Sequence, residues 1–174
     1  VDIMTKNFER RIGDCERKTQ NKVIDVLIAL GYQYFGFLQD RENNSNVERD
    51  LLEKFLRNSK KYSDEQIKKA IAHIEKVAQL GIGDNIDEKL YNSNKHVYEL
   101  LRYGYTFKPD VESQSKTVNF IDWDNLSNND FYVAEEVTYS GIHTKRPDIV
   151  LYINGIAIAV LELKSCIVDV ANGI

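Results

Sequence analysis

The chain has 174 residues, of which 43% are hydrophobic and 29% are charged, a composition typical of one soluble globular domain. Its 23 Lys and Arg against 27 Asp and Glu give a formal net charge of −4, so the chain offers no overall basic field that would hold a nucleic acid by itself. Two distant cysteines and three scattered histidines argue against a disulfide scaffold or a structural zinc site and favour a reducing cytoplasm, and the longest apolar run, 156–161, is too short to span a membrane.

The first patterned segment predicts an amphipathic helix over about 14–30. Its apolar residues recur at the i, i+3, i+4 and i+7 spacing of one buried face: Val23, Val26, Leu27 and Leu30. Gly31 follows as a stop. The same face, continued towards the N-terminus, carries Gln20 and Glu16, so the core-facing surface of this helix is polar at its first turns.

The stretch from about 46 to 103 is predicted to be helical. Two capping boxes, Ser45 with Glu48 and Ser63 with Gln66, precede apolar residues at helical spacing. A third helical pattern covers 96–103, and Gly104 follows it as a C-cap.

From residue 105 onward, β-branched and aromatic residues predict strands at 117–123, 131–139, 148–153 and 156–165. The last two form an antiparallel hairpin around Asn154 and Gly155. The predicted class is therefore α/β (α+β), with residues 1–174 as a single domain. Because the final residues do not complete an element, we expect the chain to be a fragment of a longer protein.

Charged residues flank this hairpin where apolar residues would be expected. Asp148 begins one strand, and the other strand, apolar on both faces over 156–161, runs into Glu162 and Lys164. These two side chains project to the same side and would need a partner there. Mg²⁺ would supply one, because it binds carboxylate oxygens and retains several waters. Alternatively, Glu162 and Lys164 form an ordinary charged pair on a strand surface.

The turn of the hairpin decides between these alternatives. A two-residue turn, 154–155, would direct Asp148 and Glu162 to opposite faces of the sheet. A three-residue loop, 153–155, with Gly155 left-handed, would bring Asp148, Glu162 and Lys164 to one face. A bulge elsewhere in either strand would do the same, so the prediction is the shared face, with the three-residue loop as its preferred cause.

Such a site predicts metal-assisted hydrolysis of phosphodiesters. Mg²⁺ held by Asp148 and Glu162 would polarise a phosphoryl oxygen and lower the pKa of a bound water. Lys164 would orient that water or neutralise charge that develops on the phosphate. A short basic cluster directly before the motif would contact a neighbouring DNA phosphate, or else form a solvated loop: His143, Lys145 and Arg146.

Pro147-Asp148 with Glu162-x-Lys164 resembles the PD-(D/E)xK nuclease motif. Collinear segments over about 12–172 resemble the N-terminal region of the R subunit of type I restriction enzymes (HsdR), among them ERKTQNKVIDVLIALGYQYFG, NDFYVAEEVT and RPDIVLYINGIAIAVLELKS. The resemblance implies a restriction-endonuclease-like core, a central mixed β-sheet flanked by helices, with 46–103 as a helical insertion.

The resemblance also implies an activity and partners. The expected activity is that of a Mg²⁺-dependent type I site-specific deoxyribonuclease acting on double-stranded DNA, with methylation and specificity subunits as partners. ATP would be used by motor domains of the parent protein, because no G-x-x-x-x-G-K-[ST] phosphate loop occurs in these 174 residues. An alternative is a catalytically silent nuclease fold that docks the other subunits through 46–103.

Transferred residue by residue, the resemblance makes Asp148, Glu162 and Lys164 catalytic. The metal ligands would be Asp148, Glu162, the backbone carbonyl of Leu163 and Glu16, with Gln20 and Glu136 as auxiliary residues. Glu16 is equally consistent with a carboxylate favoured by the helix dipole. Whether Glu135 or Glu136 faces the site stays open, the two being expected to point in opposite directions. The family pattern continues past the lysine into a helix with a Gln and a Tyr, which this sequence does not reach.

Overall fold

The computed structural model describes residues 2–79, 85–108, 114–139 and 144–163, with side chains from Glu16 onward. In chain order the elements are α1 (Asp2–Ala29), β1 (Gln33–Phe37), α2 (Arg49–Asn58), α3 (Asp64–Ala78), α4 (Ile86–Tyr103), β2 (Tyr105–Phe107), β3 (Lys116–Val118), a 3-10 turn (Leu126–Asn128), β4 (Phe131–Glu135), β5 (Ile149–Ile153) and β6 (Ile156–Leu161). Among the residues so described, no helix is long and apolar enough to cross a membrane.

The chain divides into two compact units. The first, the sheet unit, contains the described parts of 1–44, 132–151 and 158–174, and the second, the helical unit, contains those of 45–131 and 152–157. The prediction that 1–174 is a single domain stays a prediction.

The main sheet has four strands in the order β1-β4-β5-β6. β1 and β4 are parallel, with Gln33 opposite Tyr132 and Phe37 opposite Glu135. β5 and β6 are joined by only two residues, a connection that antiparallel strands permit and parallel strands do not. The sheet is therefore mixed, and the predicted α/β class with a mixed sheet flanked by helices is confirmed.

Helix α1 packs on this sheet through a face that differs from the predicted one. Its Ile24 forms a buried cluster with Val133 of β4 and Ile149 of β5, and partly buried apolar side chains surround it: Val23, Leu27, Tyr32, Leu151, Leu161 and Leu163. The predicted stripe was wrong at Val26 and Leu30, which are exposed. The buried face runs through positions 20, 24 and 27, so position 26 projects well away from it. The helix also begins earlier than predicted, at Asp2.

The helical unit confirms three helices between 46 and 103. Leu52, Leu56, Ile67, Ile71 and Ile74 are almost fully buried in one core with Phe120 and Ile156. The capping box of Ser63 and Gln66 is present: Gln66 N–H donates to Ser63 Oγ at 3.4 Å, and Ser63 N–H donates to Gln66 Oε1 at 2.7 Å.

The other predicted capping box, Ser45 with Glu48, was wrong. Helix α2 begins after Glu48, whose side chain makes no capping hydrogen bond. Ser45 Oγ accepts from Val47 N–H instead, at 3.2 Å. The reason is tertiary: Val47 forms an antiparallel bridge with Ile156, so the chain is extended where a helix start was expected.

Three predicted strands are shorter in the structure. β3 ends at Val118 and pairs with β2 rather than with the main sheet, because the chain from Phe120 to Asp130 folds irregularly around Asn129. β4 ends at Glu135 because Glu136 has a left-handed backbone, φ +49°. β6 ends at Leu161, and residues 164–165 of the predicted strand lie outside the described residues.

The hairpin turn has two residues, so the predicted three-residue loop was wrong. Both Asn154 (φ +53°) and Gly155 (φ +87°) are left-handed, as a type I′ turn requires. The side chain of Asn154 stabilises this conformation through hydrogen bonds to other residues of the helical unit. Its Nδ2 donates to Phe120 O and to Asn129 Oδ1, both at 2.8 Å, and its Oδ1 accepts from Asp130 N–H at 2.7 Å.

Candidate active site

Asp148 is held from several sides just before β5. Its carbonyl oxygen accepts from Glu136 N–H at 3.0 Å and from Gln20 Nε2 at 3.2 Å. Its carboxylate Oδ2 accepts from Leu163 N–H at 2.5 Å. The main chain of Asp148 is thus bound to α1 and to the residue that directly follows β4, and its side chain is bound to the residue that directly follows Glu162.

The packing of the hairpin agrees with a shared face for Asp148 and Glu162. Leu161 and Leu163 join Ile149 in the cluster against α1. If the alternation of the strands continued one residue beyond each end, Glu162 and Asp148 would point away from that cluster. A two-residue turn alone would place Ile149 and Leu161 on opposite faces, so we infer a one-residue shift of register between the turn and the far end of the hairpin.

Gln20 connects Asp148 to two neighbouring glutamates. This side chain is 3% exposed, and its Nε2 lies 3.0 Å from Glu135 Oε2 and 3.4 Å from Glu136 Oε1. Each glutamate also has an arginine partner. Arg17 of α1 lies 2.9 Å from Glu135 Oε2, and Arg146 Nε lies 3.0 Å from Glu136 Oε2.

The expectation that Glu135 and Glu136 point in opposite directions was wrong. Both carboxylates reach the amide of Gln20. Regular alternation stops at Glu135, the last residue of β4, and the left-handed backbone of Glu136 turns its side chain back towards α1. Glu135 is the more deeply buried of the two, at 4% exposure.

Tyr34 of β1 completes this cluster and was missed by the sequence reasoning. Its hydroxyl donates to Glu135 Oε1 at 2.6 Å. Burial raises the pKa of Tyr34 to about 12, and the hydrogen bond to Glu135 and the charge of that carboxylate add to the effect. The sequence contains ten tyrosines, and nothing in the local sequence distinguishes Tyr34 from the others. Arg17 lies one helical turn before Gln20, so its spacing could have identified it as a neighbour of the site.

Those of the remaining predicted site residues that the structure describes are not gathered into one cluster. Glu16 is half-buried, and within the described ranges no group of three or more His, Cys, Asp or Glu side chains could hold a metal ion. Lys145 is exposed and its main chain forms a bridge with Tyr139. Arg146 is exposed but engaged with Glu136. Lys164 and His143 lie outside the described residues.

Comparison with known proteins places the chain in a family. Residues 15–174 match the family model described as type I restriction enzyme R protein N terminus. The chain belongs to this family. The resemblance seen in the sequence is thereby confirmed.

A relative in Methanocaldococcus jannaschii, provisionally named type I restriction enzyme MjaIXP endonuclease subunit, is 40% identical to this R-protein N-terminal chain over 88 residues. The alignment covers 47% of this chain and 8% of the relative, so the chain spans only a small part of that protein's length. No solved structure matches the chain.

Proposed function

We propose that this chain is the Mg²⁺-dependent endonuclease domain of a type I restriction R subunit and hydrolyses phosphodiesters of double-stranded DNA. Membership of the R-protein family supports this function, as does the word endonuclease in the relative's name. The observation that carries the proposal is the hydrogen bond from Leu163 N–H to the carboxylate of Asp148, which joins the two halves of the PD-(D/E)xK motif.

The atoms around this bond suit a hard cation. Asp148 and Glu162 offer carboxylate oxygens, and Leu163 offers a main-chain carbonyl. Mg²⁺ is typically bound by one or two carboxylates with several waters retained, so a cluster of three acidic side chains is not needed. When bound, the ion would polarise the phosphoryl oxygen and lower the pKa of a water ligand. Glu16 is a further candidate ligand.

The chain's own residues would do the remaining work. Lys164 follows Glu162 by two residues and would orient the attacking water or balance charge on the phosphate. His143, Lys145 and Arg146 would contact a neighbouring DNA phosphate. Arg146 is paired with Glu136 at 3.0 Å. A phosphate would therefore have to displace that carboxylate or share the guanidinium of Arg146 with it.

Family membership supports the proposed partners. We propose that methylation and specificity subunits select the DNA, in the cytoplasm, and that motor domains outside this chain use ATP. A net charge of −4 fits a domain that relies on other parts of the assembly to hold DNA.

A docking module with no catalytic role is the second candidate function. Helix α4 in the helical unit supports it, because this one helix exposes large apolar or aromatic side chains: Ile86, Leu90, Tyr91, Tyr98 and Tyr103. Contiguous exposed apolar patches are typical of contact surfaces, and these residues of one helix would contribute to such a patch.

Plasmid nicking tests the catalytic assignment. The natural full-length protein, with its partner subunits, ATP and Mg²⁺, is compared with Lys164→Ala and with the control Lys68→Ala, which alters an exposed lysine of α3. We expect Lys164→Ala to slow nicking by about 100-fold or more, since it removes a group that stabilises developing charge. Unchanged nicking by this variant would remove the assignment.

Titration calorimetry with Mg²⁺ or Mn²⁺ separates the two candidate functions. Binding that disappears in both Asp148→Ala and Glu162→Ala supports the endonuclease. No binding by the wild-type protein supports the docking module.

A further inference from the structure

Glu135 is an unusual residue for the core of the sheet unit because it brings a charge into a buried place. Its carboxylate accepts from the Tyr34 hydroxyl at 2.6 Å and from Gln20 Nε2 at 3.0 Å, and it pairs with Arg17 at 2.9 Å. A well-packed apolar residue would avoid the cost of desolvating this carboxylate. Because Glu135 lies beside Gln20, its charge can act on the orientation of the Gln20 amide.

The amide of Gln20 has two possible orientations, and its surroundings select one. Nε2 faces Glu135 Oε2, Glu136 Oε1 and the carbonyl oxygen of Asp148, all of which accept hydrogen bonds. If the amide were flipped, its oxygen would face two carboxylates and a carbonyl and would be repelled by all three. The negative charge of Glu135, at the shorter distance, is therefore a main cause of the observed orientation.

We propose that Glu135 is a positioning residue of the nuclease site. Tyr34 and Arg17 fix its carboxylate, the carboxylate orients the amide of Gln20, and that amide holds the main chain of Asp148. Since Oδ2 of Asp148 is bound to Leu163 N–H, movement of the Asp148 main chain would also disturb the Glu162–Leu163 segment. The inference rests on the proposed metal-binding role of Asp148.

The test uses Glu135→Gln, Gln20→Ala and the double variant in the natural full-length protein without nucleotide. Isothermal titration with Mn²⁺ measures the affinity that Asp148→Ala removes. We expect Glu135→Gln to weaken it by about tenfold or more, as losses around metal ligands commonly do, and to add nothing in the Gln20→Ala background. Hydrogen exchange should speed up at the amides of Glu136 and Leu163, which both donate to Asp148.

Glu48→Gln is the matched control. Glu48 is another buried glutamate, 7% exposed, in the helical unit, and its replacement removes the same charge. We expect this variant to keep the wild-type Mn²⁺ affinity. If Glu135→Gln does not fold, Tyr34→Phe takes its place, because Tyr34 is 48% exposed and loses only a hydroxyl. The expected weakening for Tyr34→Phe is smaller than that for Glu135→Gln, because the carboxylate and its contact with Gln20 remain.

The possible results separate the positioning role of Glu135 from the endonuclease proposal. Wild-type Mn²⁺ affinity and exchange in Glu135→Gln, with binding lost in Asp148→Ala, would overturn the positioning role and leave the endonuclease proposal intact. A lower melting temperature with unchanged Mn²⁺ affinity would show that Glu135 is merely structural. Unchanged Mn²⁺ binding in Asp148→Ala would overturn both ideas.

Discussion

Replacing Gly155 with alanine should destabilise the hairpin tip strongly. A Cβ atom built at this position would lie 2.7 Å from Glu48 O, 2.8 Å from Leu51 Cβ and 2.9 Å from Leu52 N. Two of these three atoms are main chain at the start of α2, so they cannot move aside as the end of a flexible side chain can. The backbone of Gly155 is also left-handed, at φ +87°, a conformation that alanine rarely adopts.

The magnitude is the sum of two effects. The left-handed conformation costs a residue with a Cβ about 1–2 kcal/mol. Forcing an extra carbon into a packed site costs about 1–3 kcal/mol. The expected loss in the free energy of unfolding for Gly155→Ala is therefore about 2–5 kcal/mol.

Gly31→Ala separates these effects, because Gly31 is also left-handed, at φ +100°, but a Cβ there would meet nothing within 4 Å. It should cost only about 1–2 kcal/mol, the conformational part. Urea unfolding of the 174-residue chain, followed by circular dichroism, measures both variants. Equal losses in the two would refute the close approach of the hairpin tip to α2.

Two further predictions concern single side chains. Asn154→Gly keeps a residue that tolerates the left-handed turn but removes the hydrogen-bond partner of Phe120 O and of Asp130 N–H and one of the two donors to Asn129 Oδ1, so it should cost about 2–4 kcal/mol in urea unfolding. A loss below that of an ordinary surface substitution would contradict the buried network. Tyr34→Phe should remove the component of an ultraviolet alkaline titration that has a pKa of about 12. Because the pKa of Tyr34 is raised in the folded protein, its contribution to stability is present below pH 10 and is lost as the pH approaches 12. Over that window the wild type should lose about 1 kcal/mol of unfolding free energy relative to Tyr34→Phe, after allowance for solvent screening. An unchanged pH dependence in the variant would show that Tyr34 and Glu135 do not interact in solution.

Local sequence signals predicted the start of a helix correctly where the capping residues bond to each other and no distant segment interferes. The box of Ser63 and Gln66 was confirmed because its two hydrogen bonds join residues three apart. The box of Ser45 and Glu48 failed because Val47 pairs with Ile156, more than a hundred residues later. The same kind of long-range contact placed Ile24, rather than Val26, on the buried face of α1.

The turn of the hairpin shows a similar limit. Asn154-Gly155 is a strong turn signal, but the choice between two-residue and three-residue forms depended on a pocket for the Asn154 side chain made by Phe120, Asn129 and Asp130. Distance along the chain hides such a pocket from any pattern of neighbouring residues. The shared face of Asp148 and Glu162 stays a prediction, although the turn expected to cause it was wrong.

Family membership, the α/β class and the identity of the proposed catalytic residues could all be obtained from the order of residues, because a motif and a periodic apolar face are properties of short segments. Only the tertiary structure could show that Gln20, Tyr34 and Arg17 converge on Glu135, or that a left-handed Glu136 turns back to join them. These contacts span up to 118 positions, from Arg17 to Glu135 (135 − 17 = 118), and exist because packing α1 on the sheet buries polar groups that must then find one another.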